Sequence, residues 1–172
     1  MLKLVGATMV VIASGLSGLA VAGNYSRRPK ELRSLRSALQ MLETEVAYGV
    51  TYLPEALGQV SARCDKNVTL LFSETAAALS SMSGITATEA WETALEKYYP
   101  GTALNERDRS VLHNLGASLG ISDRQDQIKH LHLAMEQIDN ETAGAEEEAA
   151  RNVKLWSYLG FLGGLVLVLL LY

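Results

Sequence analysis

Apolar positions along this chain follow two different rhythms. Leu4 to Gly23 is a stretch of twenty residues without a charged side chain, and Leu155 to Tyr172 is a second of eighteen. As helices they would reach about 30 and 27 Å, close to the hydrocarbon thickness of a bilayer. Between them the apolar residues recur every three or four positions. Leu32, Leu35, Leu39, Leu42, Val46 and Gly49 make one such seam, and Ile128, Leu131, Met135, Ile138, Thr142, Ala145 and Ala149 make another. Two seams of this period predict a first and a last helix that pair as the core of an antiparallel bundle.

Local signals divide the rest. Pro29 suits the first turn of the first bundle helix, and Gly49 its end. Pro54 starts a second helix carrying Ala56, Leu57 and Val60. Asn67 is the predicted cap of a third, with Leu70, Leu71, Ala77 and Leu79 on it. Thr88 is the predicted cap of a fourth, with Trp91 and Leu95, ended by Tyr99-Pro100-Gly101. Asn105 with Asp108 opens a fifth, with Val111, Leu112 and Leu115, and Gly120 stops it. Ser122 with Gln125 opens the last. No proline follows Ser122, so that helix is expected to run unbroken into the terminal apolar stretch.

The expected fold is therefore all-α: a helical bundle of about six helices, flanked by N- and C-terminal transmembrane helices. The expected divisions are 1–23 as a transmembrane helix, 24–36 as a basic juxtamembrane stub that begins the first bundle helix, 37–154 as an acidic bundle, and 155–172 as a second transmembrane helix. Ser14, Gly18 and Ala22 are spaced by four, as are Gly160 and Gly164, a spacing that lets membrane helices approach closely. The packed face joins either the two spans of one chain or another membrane protein.

Charge sharpens this organisation. Of the 172 residues 48% are hydrophobic, yet nearly all the charged ones fall between the apolar ends. Arg27, Arg28, Lys30, Arg33 and Arg36 follow the first stretch, against Lys3 alone before it. Arg151 and Lys154 precede the second. The positive-inside rule then places the bundle in the cytoplasm and both termini outside. The rival reading is a leader cleaved after Ala22, which would make the bundle an exported, extracytoplasmic interaction module. Residues 24–36 carry five basic and one acidic side chains, a net charge of +4 that suits lipid headgroups. Residues 37–154 carry nine basic and eighteen acidic ones, a net charge of −9 that would repel nucleic acid.

Candidate chemistry is sparse, and the expectation is a protein that is not an enzyme, without cofactor, metal or catalytic residues. One cysteine, Cys64, excludes an intramolecular disulfide and a Cys-rich metal site. Arg63 and Lys66 nearby are the single argument for a reactive thiol. His113, His130 and His132 lack metal-ligand spacing, and a helix turns the last two to different faces. Glu43 and Glu45 also fall on different faces. Glu146, Glu147 and Glu148 form a charge run, a solvated face or a partner face for a basic protein surface.

Several runs taken together carry a resemblance. Arg28-Pro29-Lys30-Glu31-Leu32-Arg33, Ala38 to Glu45, Tyr48-Gly49 and Leu53-Pro54-Glu55-Ala56-Leu57 are similar to the stage III sporulation protein AB family. So are Glu89-Ala90-Trp91, Leu119-Gly120, Asp123 to Gln127 and Leu159 to Gly164. The resemblance implies a bundle like the cytoplasmic domain of type II secretion F-domain platform proteins. It implies a role in endospore formation, at the mother-cell membrane around the forespore, within a secretion-like channel complex. The implied partners are a cytoplasmic secretion-type ATPase, other membrane proteins of the channel and the lipid bilayer; a homo-oligomer is compatible with this. Some platform proteins bind a metal through acidic residues, and no matching ligand set occurs here.

Overall fold

The computed structural model describes residues 2–48, 52–81, 84–120 and 123–171, without the side chains of 2–8, 10, 11, 157, 160, 161, 164, 165, 167 and 169–171. These residues form six α-helices: α1 Leu2–Tyr48, α2 Leu53–Arg63, α3 Lys66–Ser80, α4 Ala87–Tyr98, α5 Glu106–Ser118 and α6 Arg124–Leu171, with a 3-10 turn Tyr99–Gly101 after α4. The all-α class holds. The apolar stretches are the outer parts of α1 and α6, and α6 runs unbroken into its stretch as the sequence predicts. Pro29 lies inside α1 rather than at the start of a bundle helix. Its missing N–H removes one backbone bond, yet the helix continues. Among the described residues no helix is long and apolar enough to cross a membrane.

The chain divides into two compact units. One joins Lys30–Thr142, and the other joins Met1–Pro29 with Ala143–Tyr172. In the larger unit the predicted seams are the core. Leu32, Leu35, Leu39 and Leu42 on α1 are fully buried, as are Leu131 and Ile138 on α6 within a percent or so. Val46 is half-buried, and Gly49 lies outside the described residues. Arg36 pairs with Asp139 at 3.3 Å and His132 with Glu43 at 2.8 Å. As α1 advances its partners on α6 recede, so the two helices run antiparallel here.

Helix α2 starts with proline in its first turn and buries Ala56, Leu57 and Val60, as the sequence predicts. Helix α3 begins earlier than expected, after Asp65 rather than Asn67. It buries Val68, Leu71, Phe72, Thr75 and Ala76, whereas Leu70 and Ala77 face outward. Helix α4 is capped by Thr86, not Thr88. The Thr86 hydroxyl accepts from the Glu89 N–H at 3.2 Å, and the Glu89 carboxylate accepts from the Thr86 N–H at 2.9 Å. Asn105 and Asp108 make the corresponding box on α5, as expected. Gly120 has φ +77°, a left-handed conformation that ends α5 at glycine's least cost. Ser122 lies outside the described residues. The neighbouring Asp123 carboxylate accepts from the Asp126 N–H at 2.9 Å and opens α6.

Trp91 ties three helices together in this unit. Its indole is fully buried, stacks edge-on against Phe72 of α3 at 5.8 Å, and donates to the Leu112 carbonyl of α5 at 2.8 Å. Gly116 lies under that ring, and any Cβ there would overlap Trp91 Cδ1.

The smaller unit has the opposite pattern. Ala22 is 5% exposed and Gly15 and Gly18 are buried, while Met9, Ile12, Leu16, Leu19, Tyr158, Leu159, Leu162 and Val166 are exposed. Small residues fill its inside and large apolar ones cover its outside.

Candidate functional site

The five basic residues after the first apolar stretch separate by helical geometry. Arg27, Lys30 and Arg33 recur every three positions and are exposed. Arg28 and Arg36 lie on the face toward α6. Arg28, buried to 8%, pairs with Glu148 at 3.2 Å within the smaller unit, and Arg36 pairs with Asp139 within the larger. Two of the five thus join α1 to α6; Arg27 in the smaller unit and Lys30 and Arg33 in the larger are exposed.

Glu146, Glu147 and Glu148 are exposed on one stretch of α6. Glu148 is the partner of Arg28, and Glu146 is engaged as well. Glu147 is the remaining member of the expected partner face. Ser14, Gly18 and Ala22 lie on α1 of the smaller unit, half-buried, buried and buried. With Ser17, Val21, Trp156, Leu159 and Gly163, Ser14 and Gly18 line an open pocket of about 360 Å³. Gly160 and Gly164 belong to α6, and their surroundings lie outside the described residues.

The remaining polar groups among the described residues are distributed over several helices. The Cys64 thiol is half-buried, 3.7 Å from both the Ser61 carbonyl and the Thr69 hydroxyl. His113 and His132 each pair with a glutamate on a neighbouring helix, Glu92 at 2.9 Å and Glu43 at 2.8 Å. Glu43 and Glu45 diverge as predicted, the second pairing with Arg63 at 3.4 Å. Among the described residues no three His, Cys, Asp or Glu side chains converge as a metal site would require.

Sequence reasoning missed one polar junction. Glu31, buried on α1, accepts from the Ala103 N–H at 2.7 Å, and Ser34 donates to Asp65 at 2.6 Å. Tyr98 is buried beside them, with its hydroxyl unpartnered. Burial first, then the charges of Glu31 and Cys64, push its phenol far above its ordinary value of 10.0. Glu31, the one acid among residues 24–36 and next to Leu32, was the available signal. This junction fixes α1 against the α2–α3 and α4–α5 connections; it is structural.

Comparison with known proteins gives the context for these surfaces. The family model for stage III sporulation protein AB matches residues 3–172. The stage III sporulation protein AB of Bacillus subtilis (strain 168) is 41% identical over 171 residues, 99% of each chain. A solved structure of a stage III sporulation protein AB superposes with a TM-score of 0.67 at 37% identity, covering 72% of this chain and 96% of the other. The chain belongs to the stage III sporulation protein AB family.

Proposed function

We propose that this family member is a non-enzymatic platform protein of a secretion-like channel complex that serves endospore formation. Its smaller unit is a helical hairpin in the mother-cell membrane around the forespore. Its larger unit lies in the cytoplasm and docks a secretion-type ATPase, and the hairpin joins the other membrane proteins of the channel. The observation that carries this reading is the inverted packing of the smaller unit. Large apolar side chains such as Met9, Ile12, Leu16, Tyr158 and Leu162 are 60–69% exposed, while Gly18 and Ala22 are inside. In water that arrangement exposes a contiguous apolar surface, which is unfavourable; in lipid, small residues at the helix contact and large ones outside are what packing favours. The basic residues Arg27, Lys30 and Arg33, all exposed, follow the apolar stretch in the sequence, where headgroups would be met.

A labelling experiment tests the placement. Single cysteines are introduced at the C-terminus or within 100–105 in a Cys64→Ala background, and intact protoplasts are treated with an impermeant thiol reagent. The C-terminal probe reacts and the loop probe does not. Labelling of the loop overturns the cytoplasmic placement, and a mature chain that begins at Gly23 supports the exported module instead. Docking is tested by reversing Glu146 and Glu147 while Glu148 keeps its bond to Arg28. Recovery of the ATPase with the chain falls; unchanged recovery sinks that face as the dock.

A further inference from the structure

Two corners of the larger unit are tied to the same turn of α1. The Glu31 carboxylate accepts from the Ala103 N–H of the α4–α5 connection at 2.7 Å, and Ser34 donates to Asp65 of the α2–α3 connection at 2.6 Å. The unit begins at Lys30, so these corners lie at the end where the chain enters it. Charge is segregated between this end and the remainder. Residues 30–36, 63–66 and 96–109, which make the end, carry eight basic and five acidic side chains, a net charge of +3. The rest of 30–142 carries two basic and eleven acidic ones, a net charge of −9. Arg36, Arg63 and Lys97 are bonded to acids of that remainder, Asp139, Glu45 and Glu74, and Glu141 shares a pocket with Arg107. Burial sharpens the contrast. Glu31 and Asp108 are buried and accept from backbone N–H groups, whereas Lys30, Arg33, Lys66 and Arg107 are exposed.

We propose that this end of the larger unit is a membrane contact of its own, a basic face that rests on the headgroups of anionic lipid. The inference rests on the placement of the smaller unit in a bilayer. It extends the lipid contact from the residues that follow the apolar stretch to two corners distant in sequence, around Lys66 and Arg107. The reach is sufficient. Seven residues, about 10 Å of helix, lead from Gly23 to Lys30. The headgroup layer adds about 5–7 Å to each side of the hydrocarbon, and its charge acts over a further Debye length of about 8 Å. The α4–α5 corner also suits an interface. Tyr99 lies under the Arg109 guanidinium at 5.2 Å and donates its hydroxyl to Glu106 at 3.1 Å, with Pro100 and Gly101 exposed beside it. An amphipathic ring held with a cation is favoured where water meets lipid. A flexible polyanion such as RNA would trail over the acidic remainder and be repelled by it, whereas a lipid surface is a plane that meets one end alone.

The test uses the full chain with Cys64→Ala and a fluorophore at Gly101→Cys, where an added side chain meets nothing within 4 Å. The chain is reconstituted into phosphatidylcholine vesicles with or without about one-quarter phosphatidylglycerol, and a lipid spin-labelled at its headgroup serves as quencher. The probe is quenched at least about two-fold more in the anionic vesicles, and about 0.5 M salt removes the excess. Lys66→Glu combined with Arg107→Gln removes it too, while Lys129→Glu, at an exposed base outside this end, leaves it. A probe at Asp123→Cys, before α6, shows no excess. Thermal melts separate loss of contact from loss of fold, and each of the two substitutions alone lowers the excess in a folded chain. Equal quenching in the two kinds of vesicle overturns the proposal. So does an excess that the folded double variant retains, or release of the probe from anionic vesicles by RNA at equal phosphate concentration. A chain that stays with the vesicles through an alkaline wash yet shows no excess sinks this inference alone; a chain that the wash releases sinks the membrane placement beneath it as well.

Discussion

At the residue scale, one tryptophan and the glycine beneath it carry much of the specificity of the larger unit. Trp91 fills the space between α3 and α5, and Gly116 is small because the indole needs that volume. Gly116→Ala gains helix propensity but forces the ring or α5 to move. The overpacking term wins, with an expected loss of about 1–3 kcal/mol. A denaturation midpoint lowered without a change in slope checks it; an unchanged midpoint would mean that the ring has room to shift. Tyr98 predicts a pH effect. Burial raises its folded-state value above the ordinary 10.0, so the folded protein holds the phenolic proton more tightly than the unfolded chain does. Its contribution is fully present below pH 10 and is lost as pH rises through the raised value. Tyr98→Phe removes the unpartnered hydroxyl and should flatten the alkaline limb of stability, measured by thermal melts from pH 8 to 11. Neither residue's role was legible beforehand. The sequence placed Trp91 on the fourth helix with Leu95 but contained no sign that Gly116 lies under it, because that contact joins α4 to α5 across the fold.

At the scale of elements, legibility followed the source of each signal. The α1 and α6 seams were readable because long amphipathic helices repeat their pattern over many turns, and burial of Leu32 through Leu42 agrees with it. The Asn105 box was readable because both partners belong to a strong local motif. The α4 start was misplaced by two residues because Thr86 and Thr88 are equally good caps by composition. What decided between them is Glu89, three positions after Thr86 and able to complete the reciprocal bond. Pro29 misled for a similar reason. Proline favours a first turn, but the packing of Leu32 and Leu35 carries α1 through it. Caps have a measurable consequence. Thr86→Ala should cost about 1 kcal/mol, and Thr88→Ala much less, since the Thr88 hydroxyl is buried without a partner. Equal effects at the two positions would show that the box does not stabilise α4. Glu89 bonded to Thr86 is held below its ordinary value of 4.5, so its support persists above that pH and fades as pH falls below it.

At the scale of the whole molecule, the two units differ in which side chains they bury. Of the large buried apolar side chains described, from Leu32 to Ile138, all lie within 30–142, whereas the smaller unit buries Gly15, Gly18, Ala22, Pro29 and Ala145. The larger unit therefore holds its own core and sheds little of it if the ends are removed. The 30–142 fragment is expected to fold in plain buffer as a helical domain with one cooperative melting transition, read by circular dichroism. It loses the Arg28–Glu148 pair, which is half exposed at the glutamate and contributes about 1 kcal/mol or less. The full chain, with Met9, Ile12, Leu16, Tyr158 and Leu162 outward, should need detergent to stay dispersed. It should also remain with the membrane pellet after an alkaline wash that strips peripheral proteins. A fragment that fails to melt cooperatively would mean that the larger unit draws its order from the hairpin. Release of the full chain by the wash would mean that its apolar surface is covered by protein rather than lipid. These outcomes are separable because the first concerns a core closed within 30–142, and the second the exposed apolar side chains of the smaller unit.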